Sequence, residues 1–247
     1  MPRVKRRRRL WAWLLAPVLL LTALVAADRL LASNMTRGFE QAIMSDAEGF
    51  HATGAQVQIH GFPFLTQLLT NNFRHVSIHL DAGYFEGFEV RDVRVEAFDV
   101  HTAAPWRAGL IDVDVVVMYE ALELALQQQV NAPITVAADP NVPGTLIATS
   151  QITVLGFSVP ISIHINPTIV SGNALNIDIE YVNVAGAEIA VDQIPLGLGD
   201  VLDDLAVALP LPDGVSLLGV EVLPDGLRIQ GQAAEISLED FVGPVGS

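Results

Sequence analysis

No cysteine occurs in the 247 residues, so disulfides, thiol nucleophiles and zinc–thiolate centres are all excluded. Stability must come from burial and strand pairing. Lysine is nearly as scarce, and none occurs beyond residue 27. Six of the 13 basic residues stand together at the start, as Arg3, Lys5, Arg6, Arg7, Arg8 and Arg9. Seven arginines then face all 28 acidic residues from Asp28 onward, a formal charge of −21 for that part. Such a surface excludes nucleic acid, whose phosphates need a basic footprint. It equally excludes broad electrostatic adhesion to anionic lipid, so any lipid contact has to be apolar and local.

Catalytic signatures are missing as well. The chain has no Gly-x-Ser-x-Gly elbow, no phosphate loop, no dinucleotide fingerprint and no His-Glu-x-x-His. His75 and His79 are the best metal candidates. On a strand they share a face but stand about 13 Å apart, whereas two ligands of one zinc each lie within about 2.1 Å of it. They read as solvated strand histidines. Asp203 and Asp204 are adjacent and would point about 100° apart on a helix, so with Asp200 they suit the polar face of a helix N-terminal half. Asp112 and Asp114 fall on the outer face of a strand. The expectation is a protein without catalytic residues, metal or cofactor.

What is present begins with Leu10–Ala27, 18 positions without a charge. At about 1.5 Å per residue they make roughly 27 Å of helix, enough to cross a hydrocarbon core. The basic cluster ahead of them fixes the orientation, residues 1–9 cytoplasmic and everything after 27 outside. A cleaved signal peptide is the competing reading, since Val25-Ala26-Ala27 is a tolerable cleavage site. The apolar run is longer than such a peptide needs, and an amphipathic segment follows without a break. An uncleaved single-pass signal anchor at 10–27 is therefore preferred, with a linker helix at 28–49 and a domain at 50–240. The domain then lies on the extracytoplasmic, periplasmic side of the cell membrane.

Hydrophobic periodicity organises the remainder. Arg29–Gly49 has helical spacing, with Leu30, Leu31, Met35, Phe39, Ile43 and Met44 on one side. Ala55–His60 alternates. Phe64–Leu69 reads as a short apolar turn or helix. Val76, Ile78 and Leu80 mark one face of a strand over Arg74–Ala82. Phe88–Val100 continues the pattern, with a parity slip near Ala97–Phe98 that predicts a bulge. Ile111, Val113, Val115 and Val117 mark another strand, and Tyr119–Val130 turns helical. Alternation returns over Leu146–Val154, Val159–Ile165, Ala174–Val184 and Glu188–Val191. Leu198–Leu209 reads as a second amphipathic helix. A closing hairpin, Val215–Leu223 and Leu227–Leu238, turns through Pro224-Asp225-Gly226. Strand–helix–strand occurs twice, hinting at duplication. The class is α+β, sheet-dominated.

The densest unusual segment is His60-Gly61-Phe62-Pro63-Phe64-Leu65-Thr66-Gln67-Leu68-Leu69-Thr70. Connecting segments are normally polar and superficial. An apolar one either plugs the core or lines a cleft or membrane-facing edge, and residue chemistry alone leaves both open.

This segment with Val57-Gln58-Ile59 ahead of it, followed by Val76-x-Ile78-x-Leu80, resembles the start of the actinobacterial LmeA-like phospholipid-binding family. A mid-chain helix opening Tyr119-Glu120-Ala121-Leu122 supports the resemblance. So do the closing Leu209-Pro210-Leu211-Pro212-Asp213-Gly214 and Asp225-Gly226-Leu227-Arg228-Ile229. Thr70-Asn71-Asn72-Phe73 departs from it, where a glycine and an aromatic residue are expected. The resemblance implies a cell-envelope protein that binds phospholipid, phosphatidylinositol-like lipid included, and supports lipid or lipoglycan biogenesis. It also implies a long curved antiparallel sheet wrapped against a few helices, like tubular lipid-binding domains. Phe62, Phe64, Leu65, Leu68 and Leu69 would then line the mouth or floor of an apolar groove, with Arg74 pairing a phosphate. The alternative is a non-catalytic scaffold or partner of envelope glycosyltransferases without bound lipid.

Overall fold

The computed structural model describes residues 5–45, 52–85, 88–104, 107–130, 133–154, 157–171, 174–189, 206–208 and 214–237, with side chains of the first segment described from Thr22 onward. It opens with one helix, α1 (Lys5–Ser45), which carries the apolar run and the amphipathic segment without a break. The expected division at residue 28 is thus no boundary of secondary structure. Most of Leu10–Ala27 lies outside the described side chains, and among the described residues no helix is long and apolar enough to cross a membrane.

Then follow β1 (Gln56–His60), α2 (Phe64–Leu69), β2 (Asn72–Phe85), β3 (Phe88–His101), β4 (Arg107–Met118), α3 (Tyr119–Val130), β5 (Ile134–Ala138) and β6 (Leu146–Val154). The remainder is β7 (Phe157–Ser171), β8 (Ala174–Val184), β9 (Ala187–Ile189), β10 (Ala206–Ala208), β11 (Val215–Val222) and β12 (Gly226–Ser237). The described strands form two curved antiparallel sheets. The first has the order β1-β2-β3-β4-β12-β11. The second has the order β10-β8-β7-β6-β5, with β9 against β8. The sheet-dominated α+β class is therefore observed.

Helices guard one edge of each sheet. Glu40 Oε1 on α1 accepts a hydrogen bond from the backbone N–H of Val57 at 3.1 Å, on edge strand β1. On edge strand β5, Glu123 Oε1 of α3 accepts from Val136 N–H at 2.7 Å, and Gln127 Nε2 donates to the Ile134 carbonyl at 3.0 Å. An open edge is a template for association, and these side chains occupy its donors and acceptors. The Tyr119 hydroxyl donates to the Leu223 carbonyl and so ties the start of α3 to the closing hairpin. Burial, with Asp225 nearby, pushes that phenol up to about 12.

Two expectations need correction. The bulge in β3 is not at Ala97–Phe98. It lies between Arg91 and Arg94, where Asp92 takes a φ of 47° and the register against β4 gains a residue. Val90 and Val93, three apart, are both buried as a result. The parity slip at Phe98 has another cause, because Phe98 belongs to the outer face and stacks there on His75. The second correction concerns Leu198–Leu209. Residues 190–205 lie outside the described residues, along with Asp200, Asp203 and Asp204, but Ala206–Ala208 is a strand paired to β8. The predicted helix therefore does not extend through Ala206–Ala208, and small residues that fit a helix serve equally on a sheet edge.

At the end of the second sheet, the Asp139 side chain is only 1% exposed and bonds His164 Nδ1 at 2.8 Å. It also accepts from the backbone N–H groups of Asn141 at 2.8 Å and Val142 at 3.3 Å, holding the turn from β5 to β6. His164 stacks on Tyr181, ring centroids 4.0 Å apart. The Asn141 N–H holds the Asp139 carboxyl below the usual carboxylate range, helped by His164 and Val142 against the opposing effect of burial. A lowered folded-state value stabilises the fold above the unfolded value, and that contribution disappears as the pH falls through the folded one. The midpoint of thermal unfolding should therefore fall as the pH is taken below the ordinary aspartate value of about 4, and Asp139→Asn should flatten that dependence. Calorimetry at successively lower pH reads the difference.

Candidate functional site

Register places one face of the first sheet entirely in apolar side chains. Val76, Ala97, Ile111 and Ala233 form one rung, and Ile78, Val95, Val113 and Gly231 the next. Val115, Ile229 and Val220 form another, and Val90, Val117, Leu227 and Val222 lie beyond it. Alternation at period two puts all of these on one side. The rungs are not covered alike. Toward α1, Leu80, Val90 and Val93 are buried with Ala52 and Ala55, and Ile43 packs on them. Toward α3, Leu227 is buried with Tyr119, Val136, Leu146 and Ala148, drawing in Ile163 and Ile165 of β7. Ile78, Val95 and Val115 pack against the first cluster and are still only half-buried, as are Val76, Ile111, Val113 and Ile229 farther along the face. Gly231 adds no side chain to its rung. The result is an apolar strip that the protein's own atoms do not fully cover, running into the apolar face of the second sheet.

The opposite face of the first sheet carries bonded polar side chains alongside Phe98, Val116 and Met118. Gln230 Nε2 donates to Asp114 at 3.0 Å and Gln232 Nε2 to Asp112 at 2.7 Å, so these carboxylates are bound to partners within the protein. His75 is not simply solvated. It stacks between His60 and Phe98, with centroids at 4.2 and 4.6 Å, and bonds Glu96. His60 Nε2 lies 2.8 Å from Ser77 Oγ. Among the described residues no group of three or more His, Cys, Asp or Glu is placed to hold a metal ion.

At the end of this sheet lies the apolar loop, and it divides in two. Phe64 is only 2% exposed and stacks on Phe73 at 6.0 Å; the two are the largest fully buried side chains described. For Phe64 the core-plug reading holds. Leu65 is half-buried. Phe62 is 51% exposed and Leu69 83%, with Leu68 exposed beside them. Arg74 is exposed and forms no ion pair among the described residues, while its backbone N–H donates to Gln67 Oε1 at 3.0 Å. Gln67 is itself buried and donates to the His60 carbonyl at 3.2 Å, so one amide joins β1, α2 and β2. Gly61, at a φ of 100°, leaves room for it, since a Cβ there would sit 2.9 Å from Gln67 Nε2.

Two residues that hold this loop escaped the sequence reading. Asp28, 2% exposed, accepts from the backbone N–H groups of Phe64 at 3.0 Å and Leu65 at 2.8 Å. Pro63 gives α2 no side-chain cap, and Asp28 supplies it from 36 residues away. Arg29 follows it, with its guanidinium carbon 5.5 Å from the centre of the Phe62 ring. A lone acid after an apolar run would draw notice only if its partner were known. A cleft of about 670 Å³ between α1 and β1 is lined by Arg29, Arg37, Glu40, Val57 and His60 among others. A second cleft, about 600 Å³, opens on the polar side of the second sheet near Thr135, Thr149 and Ser162. Neither of these clefts is lined by the residues of the apolar strip.

A family model described as LmeA-like phospholipid-binding matches residues 26–232, most of the chain. No curated protein and no solved structure matches.

Two substitutions separate packing from capping. Phe64→Ala should cost about 3–5 kcal/mol in a denaturant titration, as a buried aromatic truncation does. Asp28→Ala should cost about 1–2 kcal/mol, the loss of a helix cap.

Proposed function

Because the chain belongs to the LmeA-like phospholipid-binding family, a lipid-binding family and not an enzyme family, we propose that its domain holds a phospholipid with the acyl chains along the half-buried apolar strip. The observation that carries this is the strip itself, Ile78, Val95 and Val113 on adjacent strands with Ile229 beyond. Such a surface gains by covering itself with hydrocarbon. A dozen methylenes at about 0.8 kcal/mol each supply roughly 10 kcal/mol of gross driving force, so a basic patch is unnecessary. Phe62, Leu65, Leu68 and Leu69 stand at the end of the sheet as its mouth, while Phe64 supports them from the core. Arg74 and Arg29 are the cations free to meet a phosphate there, a phosphatidylinositol-like headgroup being one that the pair can serve.

The same proposal places the protein in the envelope. The basic head and Leu10–Ala27 act as an uncleaved single-pass anchor, with the domain on the periplasmic side, and the bound lipid serves lipid or lipoglycan biogenesis in an actinobacterial membrane. Support comes from the charge asymmetry of the sequence and from the unbroken α1, which joins the run to the domain.

Native mass spectrometry of the detergent-stripped protein, before and after exposure to phosphatidylinositol, tests the binding. One lipid per chain is expected. Val113→Trp fills the middle of the strip and should reduce the bound fraction at least about tenfold, an effect of about 1.4 kcal/mol or more, with the circular dichroism unchanged. A lipid-free wild type that ignores added lipid would overturn the proposal and leave the scaffold reading in its place.

A further inference from the structure

The apolar end of α2 is fixed to the residue that follows the apolar run. Asp28 lies one position beyond Ala27 on an unbroken helix, and its buried carboxylate grips α2 by two backbone N–H groups. Residues four apart share a helix face, so Leu24, 55% exposed, stands on the side of α1 that carries Asp28. Phe62, Leu68 and Leu69 are thus displayed within about a helical turn of the apolar run, whichever way the rest of the domain extends. Long side chains exposed together rarely occur without a partner.

Cations are distributed to match. Arg91, Arg94 and Arg228 are held in ion pairs with Glu89, Asp92, Asp114 and Glu221. Arg29, Arg37, Arg74 and Arg107 have no ion pair among the described residues; Arg37 lies farther along α1, where it donates to Asn34 Oδ1 at 3.3 Å, and the other three belong to the α2 end. Arg29 lies over Phe62, and Arg74 follows Phe73 at the start of β2. Arg107 opens β4 opposite His101, which itself pairs with Asn72. Asp99 and Glu235 also lie near this end and are exposed, so the free cations mark a local feature in an acidic domain.

We infer that the α2 end is a membrane-docking surface. Phe62, Leu68 and Leu69 seat among the headgroups and upper acyl chains of the bilayer that holds α1, while Arg29, Arg74 and Arg107 meet lipid phosphates. This rests on the proposed anchor and gives the apolar strip a direction, its α2 end opening onto the bilayer from which a lipid enters. The distance from membrane to strip is set by the Asp28 bonds and is short.

The absence of cysteine makes the test direct. Full-length Leu69→Cys, Asn141→Cys and Leu20→Cys variants are spin-labelled and reconstituted into phosphatidylcholine vesicles containing some phosphatidylglycerol. Accessibility to oxygen is compared with accessibility to a water-soluble nickel chelate. Leu69 is so exposed that a label there displaces no packing. The oxygen-to-nickel ratio should be several-fold higher at Leu69 than in the turn at Asn141, and higher again at Leu20. A Leu69 label as open to nickel as that at Asn141, with Leu20 still shielded, overturns the docking and leaves the anchor standing. A nickel-accessible Leu20 label overturns the anchor and the docking together. A Leu69 label shielded from both reagents and broadened by a neighbouring label also overturns the docking, since a second copy then covers this surface.

Discussion

Each sheet in this chain has one apolar face, and without disulfides those faces must find cover from helices, from each other or from a guest. Everything else in the architecture follows from how far that cover extends. α1 covers the β1 side and α3 the β11–β12 side, where Ile163 and Ile165 of the second sheet join the same cluster. The rungs between remain half-buried. A conventional core would close that gap with larger side chains, but here valines predominate and Gly231 contributes nothing. A strip left in this condition costs stability unless something apolar occupies it, which makes lipid binding and folding parts of one balance.

Much of the fold was legible because its signals are local. α3 at Tyr119–Val130, β6 at Leu146–Val154 and β8 at Ala174–Val184 begin and end where period and turn residues place them. The Pro224-Asp225-Gly226 turn joins its two strands as expected, with only the bulge between Leu217 and Gly219 unannounced. What escaped depends on partners distant in the chain. Ala206–Ala208 is a strand because β8 offers it an edge, a fact absent from its own residues. Phe98 looked like a slip in register because its partner, His75, lies on another strand.

The candidate site shows the same division. An apolar loop at Phe62–Leu69 is plain in the sequence, but which side chains point inward is decided by Asp28, Gln67 and Phe73. Phe64 and Leu69 are chemically alike and five residues apart, yet one is buried and the other almost wholly exposed. Only the placement of α2 tells them apart. Pattern reading reaches the segment; the hydrogen bonds that orient it run to residues 28, 60 and 74.

Glu40 gives α1 a second duty, with a consequence for how the protein matures. The helix that would tether the chain also closes the open edge of β1. Until α1 docks, that edge can recruit a strand from any neighbouring chain. A helix held at a membrane from the outset is always near its own sheet, so intramolecular closure outruns association between chains. Under the proposed anchor, tethering would act as a built-in chaperone, and a chain severed from its first helix would lose solubility before it lost secondary structure.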